Sequence, residues 1–323
     1  MFAASVTSFD ADTPLNGLTL GDHAEPAPPD DTWTTVTVRA TALNHHDLWS
    51  LKGVGLRAEQ LPMILGTDAS GTDEDGNEVV VHAVIGDPAR GGGDETFDPK
   101  RSLLSEVYDG TLAERVTVPR RNLVPKPAAL SFEQASCLPT AWLTAYRMLT
   151  TRGQLVVGET VLIQGAGGGV STALVPLAKA MGLRVWVTSR DAGKREQAML
   201  LGADEAFEPG VRLPERVDAV MESVGEATWS HSLKSLRPGG RVVVCGSTSG
   251  PNPPADLARV FFLQLSVIGS TMGTRDELEQ LLTVCAAHSL TPPIDRSYSL
   301  AEADRAIARL ASGKGFGKIV VTA

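Results

Sequence analysis

The chain has 323 residues, enough for about two domains, and 42% of them are hydrophobic, enough for sizeable cores. Its formal net charge of −9 offers no basic face to nucleic acid or to an anionic membrane, and no apolar run is long enough to span a bilayer. Three cysteines (137, 245 and 285) without framework spacing, and an N-terminus lacking a charged and then apolar leader, lead us to expect a cytoplasmic protein without disulfides.

In chain order, Asp73-Glu-Asp-Gly76-Asn reads as a tight polar turn, and Ile85–Lys100, with three consecutive glycines, as an exposed loop between strands. Thr160–Gln164 reads as a buried strand. It runs into Gly165-Ala-Gly167-Gly168-Gly169-Val170-Ser171 and then into a helix with apolar residues at Val170, Ala173, Leu174, Leu177, Ala178 and Met181. Pro176 should kink that helix, and Gly182 should end it. Further strands follow at Arg184–Thr188, Val217–Glu222, Arg241–Cys245 and Ser266–Gly269. A helix near Lys194 to Leu201 and a turn at Gly239-Gly240 fall between them. Alternating strands and helices predict an α/β fold with a doubly wound parallel sheet of the Rossmann type.

The glycine turn at the start of a helix is a phosphate cradle. Unpaired N–H groups and the helix dipole favour an anion there, and glycine lets the pyrophosphate of a dinucleotide approach closely. Gly167, Gly168, Gly169 and Val170 are the candidate contacts, and Ser171 stands where the fingerprint has its third glycine. The end of the next strand selects the dinucleotide. Ser189 occupies the position of the ribose-binding acid, with Arg190 beside it and Lys194 close by, a set suited to a 2′-phosphate and hence to NADP(H). A small shift of register would instead make Asp191 the ribose acid of an NAD site.

Motifs spread over nearly the whole length resemble the medium-chain dehydrogenase/reductase superfamily, in particular its zinc-free, quinone-oxidoreductase-like branch. They are Ala42-Leu-Asn44-His-His-Asp47-Leu-Trp49, Leu65-Gly66-Thr67-Asp68-Ala-Ser-Gly71, Asp109-Gly110-Thr-Leu-Ala113-Glu114, Leu138-Pro139-Thr140-Ala-Trp-Leu-Thr144-Ala145, Leu201-Gly202-Ala203-Asp204, Leu265-Ser266-Val-Ile268-Gly269-Ser270 and Gly317-Lys318-Ile-Val320. The resemblance implies a GroES-like irregular β domain over residues 1–137, completed by 274–323. A coenzyme domain over 138–273 is inserted between the two parts. It also implies a homodimer, paired through the Ser266–Gly269 strand.

Zinc members of that superfamily hold the metal with cysteine and histidine at three separated positions. By motif register these are Asn44, Thr67 and a place at or beside Ser136, with Cys137 one residue off. An amide, a hydroxyl and a misplaced thiol are poor zinc ligands, so no metal is expected. His45 and His46, read on an extended segment, would point to opposite sides. Without a Lewis acid, the remaining chemistry is hydride transfer to an acceptor that is already electrophilic, a quinone or an α,β-unsaturated carbonyl.

The resemblance places Asn44 and Asp47 at the substrate and nicotinamide cleft. Asn44 is a candidate hydrogen-bond donor to the carbonyl, Asp47 an orienting acceptor and Trp49 an apolar wall. It also implies coenzyme contacts from Thr140, Thr144, Cys245, Gly246, Ser247, Met272, Gly273 and Lys318. For several of these a structural role is the alternative: a core thiol at Cys245 and a surface lysine at Lys318. The chain departs from the branch in lacking an arginine before Gln264-Leu-Ser, and no tyrosine is placed as proton donor beyond Tyr108 and Tyr146 by default. An NADPH-binding sensor with little turnover, or an alcohol- or polyketide-type reductase, stays open as an alternative.

Overall fold

The computed structural model describes residues 1–323. It divides into two compact units, Met1–Leu143 with Met272–Ala323, and Thr144–Thr271. The segment Leu138–Leu143, expected with the coenzyme domain, therefore counts with the first unit. No helix is long and apolar enough to cross a membrane.

The first unit is the irregular β body that the resemblance implies. Its largest sheet has seven strands and is built around Trp33–Ala42, where Val36, Val38, Ala40 and Ala42 are buried. This long strand pairs antiparallel with Arg115–Pro119, Ala69–Thr72 and Lys318–Thr322. In the last ladder Val320 faces Ala42 and Thr322 faces Ala40, so the C-terminal strand is stitched into the N-terminal sheet. One consequence matters for the site: Lys318 is carried to the end of the Trp33–Ala42 strand, next to Leu43 and Asn44. The helix Ala303–Ala311 buries Ala306 and Ile307 in a core shared with Leu51, Leu65, Leu112 and Val321.

Ile85–Lys100 is a loop between strands, as expected, but is exposed only in part. Asp98 is fully buried, and its carboxylate accepts hydrogen bonds from the N–H groups of Asp87 (2.8 Å) and Lys100 (2.9 Å) and from the Arg90 guanidinium (2.7 and 3.0 Å). The Arg90 hydrogen bond, with the backbone donors, holds the Asp98 carboxyl far below the usual carboxylate range. A buried charge with four donors gathers its own lobe, which composition alone does not announce.

The second unit carries a six-stranded, wholly parallel sheet. Across it the strands run Glu205–Phe207, Arg184–Thr188, Thr160–Gln164, Val217–Glu222, Leu236–Val244 and Ser266–Gly269. In chain order that is 3-2-1-4-5-6, the Rossmann arrangement, with the switch point between Thr160–Gln164 and Val217–Glu222. The helix Gly169–Ala180 runs unbroken through Pro176, because Ala173, Leu174, Leu177 and Ala178 are all buried and packing outweighs one lost N–H donor. Gly239-Gly240 does not precede its strand. It lies within Leu236–Val244, in a bulge where the pairing jumps from Val217–Leu236 to Ala219–Arg241. At the sheet edge, Val267 is 51% exposed, and Phe261 and Phe262 of the neighbouring helix Leu257–Phe262 are 74% and 78% exposed.

Candidate functional site: a coenzyme cradle and a buried polar cluster

In the second unit, the strand Thr160–Gln164 turns at Gly165, whose φ of +87° suits glycine alone at low cost. Gly168 is the N-cap of Gly169–Ala180 and supplies no side-chain cap, so the first-turn N–H groups face outward. The Ser171 hydroxyl turns back to donate to the Gly168 carbonyl at 3.0 Å. Lys194 reaches across this turn: a Cβ placed on Gly167 would stand 2.7 Å from Lys194 Cδ and 3.0 Å from its Nζ. The ammonium thus lies over the glycine turn.

Beside it, Ser189 is half-buried at the end of its strand and Arg190 is exposed. Asp191 is the N-cap of Ala192–Leu200, and its Oδ1 accepts from the Lys194 N–H at 3.0 Å. That capping bond uses Oδ1 of the carboxylate. Arg195, which sequence reasoning passed over, donates to the Ser189 carbonyl at 2.6 Å and adds a third cation.

Behind the cradle runs a buried network that periodicity could not reveal. Thr188 donates to Gln164 Oε1 (2.6 Å), Gln164 Nε2 donates to Ser232 Oγ (3.0 Å), and Ser232 donates to Glu222 Oε2 (2.6 Å). Glu222, fully buried, also accepts from the N–H groups of Val224 (2.7 Å) and Gly225 (3.1 Å). Three strand ends around the switch point are tied together in this way. Cys245 lies at the end of the fifth strand, its thiol pushed up to about 12 by burial and then by the Glu222 charge, so it is a neutral packing group. Gly246 and Ser247 follow it, partly exposed, and Thr144 is buried.

In the first unit, residues far apart in the chain form one polar cluster. Lys318, 2% exposed, donates to the Leu43 carbonyl (2.8 Å), Asn44 Oδ1 (2.7 Å) and Asp68 Oδ2 (3.0 Å). Asn44 Nδ2 lies 2.9 Å from Asp68 Oδ2, 3.1 Å from Thr67 Oγ1 and 3.2 Å from the Ala42 carbonyl. Thr67 Oγ1 in turn lies 3.1 Å from Thr140 Oγ1.

This geometry corrects several expectations. Lys318 reaches no phosphate and is no surface lysine, since its three N–H bonds end on buried acceptors. Asn44 has no spare N–H for a substrate, its amide being shared among three acceptors. Asp47 is fully buried, and its two oxygens accept from the Asn44 N–H (2.8 Å) and the Gly66 N–H (3.0 Å), so it fastens the turn instead of orienting a substrate. Trp49 is half-buried, with the Lys52 ammonium 5.4 Å from its ring. The residue that joins Asn44 and Thr67 is Thr140 and not Ser136, whose hydroxyl donates to the Glu133 carbonyl, as does the Cys137 thiol. His45 and His46 begin a helix, His45–Leu51, instead of an extended segment, and His46 Nε2 pairs with Glu106 at 3.2 Å. Met272 packs on Ala83 and Val84, and the Gly273 carbonyl accepts from His82 Nε2 (2.9 Å).

The cluster also tests a metal on its own chemistry. A zinc ion there would meet an amide, two hydroxyls, one carboxylate (Asp68) and a lysine ammonium, and no three His, Cys, Asp or Glu side chains converge anywhere in the chain. A single carboxylate already paired with a fixed ammonium, with only neutral hard donors beside it, does not fit zinc. The cradle, in contrast, fits a dinucleotide.

Comparison with known proteins agrees with the two-unit architecture. Residues 30–128 match the family described as alcohol dehydrogenase GroES-like domain, and residues 169–287 match the family described as zinc-binding dehydrogenase. The acryloyl-coenzyme A reductase of Metallosphaera sedula is 31% identical over 307 residues, covering 89% of this chain and 91% of that protein. The human quinone oxidoreductase is 28% identical over 321 residues, covering 93% and 92%. A crystal structure of an NAD-dependent alcohol dehydrogenase superposes with a TM-score of 0.91 at 31% identity, with both chains fully covered. With the parallel sheet in Rossmann order, the C-terminal strand sewn into the N-terminal β body, and these matches along most of its length, the chain belongs to the medium-chain dehydrogenase/reductase superfamily of nicotinamide-dependent oxidoreductases.

Proposed function

We propose that this protein is a zinc-independent, NADP(H)-dependent oxidoreductase that reduces a quinone or an α,β-unsaturated carbonyl compound. The observation that carries the reading is the polar cluster. Where a zinc dehydrogenase needs three metal ligands, this chain sets Asn44, Thr67 and Thr140 in a hydrogen-bonded row, with the Lys318 ammonium on Asn44. An alcohol oxygen has no Lewis acid there to lower its pKa, so the acceptor must be electrophilic already. The acryloyl-coenzyme A named for one relative is an α,β-unsaturated thioester, and quinones share the same conjugation.

When bound, the dihydronicotinamide supplies a hydride, two electrons with one proton. The chain's own residues would hold the coenzyme at stated places. The first-turn N–H groups of Gly169–Ala180 and the Lys194 ammonium take the pyrophosphate, and Ser189 and Arg190 take the 2′-phosphate.

The test is NADPH oxidation against quinones, enones, enoyl thioesters, aldehydes and ketones, with NADH in parallel and a metal chelator present. Chelator-resistant turnover of quinones or activated alkenes is the expected result. Activity confined to alcohols and aldehydes and abolished by chelator would refute it, and NADPH binding without turnover of anything would leave a sensor.

We also infer a homodimer. The outer strand Ser266–Gly269 ends the sheet with an uncharged edge, and exposed Phe261, Phe262 and Val267 lie in the same stretch of chain, a combination monomers usually avoid. Sedimentation equilibrium should return twice the 34.0 kDa chain mass, and a monomer at micromolar concentration would sink the idea.

A further inference from the structure

We propose that Thr140 donates the hydrogen bond that meets the negative charge developing on the substrate oxygen, oriented by a chain of donors that starts at the Lys318 ammonium. The proposal rests on the reductase reading above and assigns a residue to the electrostatic work that reading leaves open.

The direction of the chain follows from donor arithmetic. A lysine ammonium only donates, and three acceptors within 3.0 Å account for all three of its protons. Asn44 must therefore turn its oxygen to Lys318, which sets the amide and points Nδ2 at Thr67 Oγ1 and Asp68 Oδ2. The Thr67 oxygen accepts from that amide. Thr67 is 1% exposed, so its own proton needs a partner, and the hydroxyl that meets it is Thr140 at 3.1 Å. Thr140 thus accepts from Thr67 and keeps its own O–H for a group outside the cluster. It is half-buried, whereas Asn44, Thr67, Asp68 and Lys318 are all buried. Asn44 and Asp47, the other polar candidates for the substrate, are committed: Asn44 to the cluster, and Asp47 to the Asn44 and Gly66 N–H groups.

The chemistry balances without a metal. Hydride addition forms a C–H bond at the β carbon and breaks the C=C π bond. The displaced pair forms a new π bond at the α carbon, and the carbonyl pair moves onto oxygen as an enolate. A solvent proton then adds at the α carbon and restores the carbonyl. The Thr140 O–H stabilises the enolate oxygen, and the cation at the head of the chain polarises each link toward it. Lys318 touches no reacting atom and is a positioning residue.

The decisive variants are Thr140→Val, which keeps the shape and removes the O–H, and Thr140→Ser, which keeps the O–H. Both are assayed with NADPH and the best acceptor of the panel, alongside NADPH affinity by fluorescence titration. Thr140→Val should lower kcat by about 100-fold, with KM and NADPH Kd changed by no more than about twofold, and Thr140→Ser should retain most of the rate. A kcat loss accompanied by a matching rise in NADPH Kd would overturn the proposal, because Thr140 would then be a coenzyme contact. Wild-type turnover that Thr140→Val leaves intact would overturn this proposal alone. A wild type that reduces no quinone or activated alkene would overturn the reductase reading, and this proposal with it.

Discussion

Lys318→Met is expected to lower the free energy of unfolding by about 3–5 kcal/mol, the cost of leaving one charge of a buried pair without its partner. Lys318 is 2% exposed and Asp68 not exposed at all, with 3.0 Å between Nζ and Oδ2. Methionine fills much of the lysine volume, so the loss would come from charge and hydrogen bonding more than from a cavity. Three acceptors lose their donor together, and Asp68 Oδ1 already lacks a partner within the protein. Adding Asp68→Asn should recover a large part of the loss, since no buried charge then remains uncompensated. Urea denaturation of the single and double variants measures both effects. A single-variant loss below about 1 kcal/mol would mean that the pair holds little of the fold.

The second large effect lies in the other unit. Arg190→Glu should weaken NADPH binding by about 10–100-fold, the range of one charge-assisted hydrogen bond, and leave NADH binding nearly unchanged. The argument is electrostatic. Arg190 is exposed beside half-buried Ser189, Lys194 reaches over the glycine turn, and Arg195 lies against the Ser189 carbonyl. Of the nearby acids, Asp191 caps Ala192–Leu200 through Oδ1, and Glu208 pairs with Arg195 at 3.4 Å. A carboxylate introduced at 190 removes a donor from the 2′-phosphate and repels it as well. Titration of the wild type and the variant with both coenzymes decides the matter. Unchanged NADPH affinity would refute the phosphate assignment, and a wild type preferring NADH would align this chain with the NAD-dependent dehydrogenase whose fold it shares.

The expected NADP(H) cradle could be written down from sequence because each of its parts is local. A strand, a glycine turn and a helix N-terminus follow one another within about twenty residues, and backbone geometry ties phosphate binding to that order. Four of the predicted strand limits match closely: Thr160–Gln164, Arg184–Thr188 and Val217–Glu222 are short, largely hydrophobic runs buried within a parallel sheet, and Ser266–Gly269 is a short uncharged run at its exposed edge. Even there, tertiary packing overrode local rules, carrying a helix through Pro176 and turning Gly239-Gly240 into a bulge.

The polar cluster is the opposite case. Asn44 and Lys318 are 274 residues apart and meet only because Lys318–Thr322 pairs with Trp33–Ala42 in one particular register. A lysine at the start of the last strand of the chain reads as a surface residue or a phosphate ligand until that register is known. Likewise Ser136 and Thr140 differ by four positions on an irregular helical segment, and only its path decides that Thr140 faces Thr67. By itself the sequence determined the fold class and the coenzyme turn, because residue type and short spacing suffice for each. The tertiary structure decided which residues gather with Asn44 and Thr67, because a buried charge and its acceptors are assembled by long-range strand pairing that no local pattern encodes.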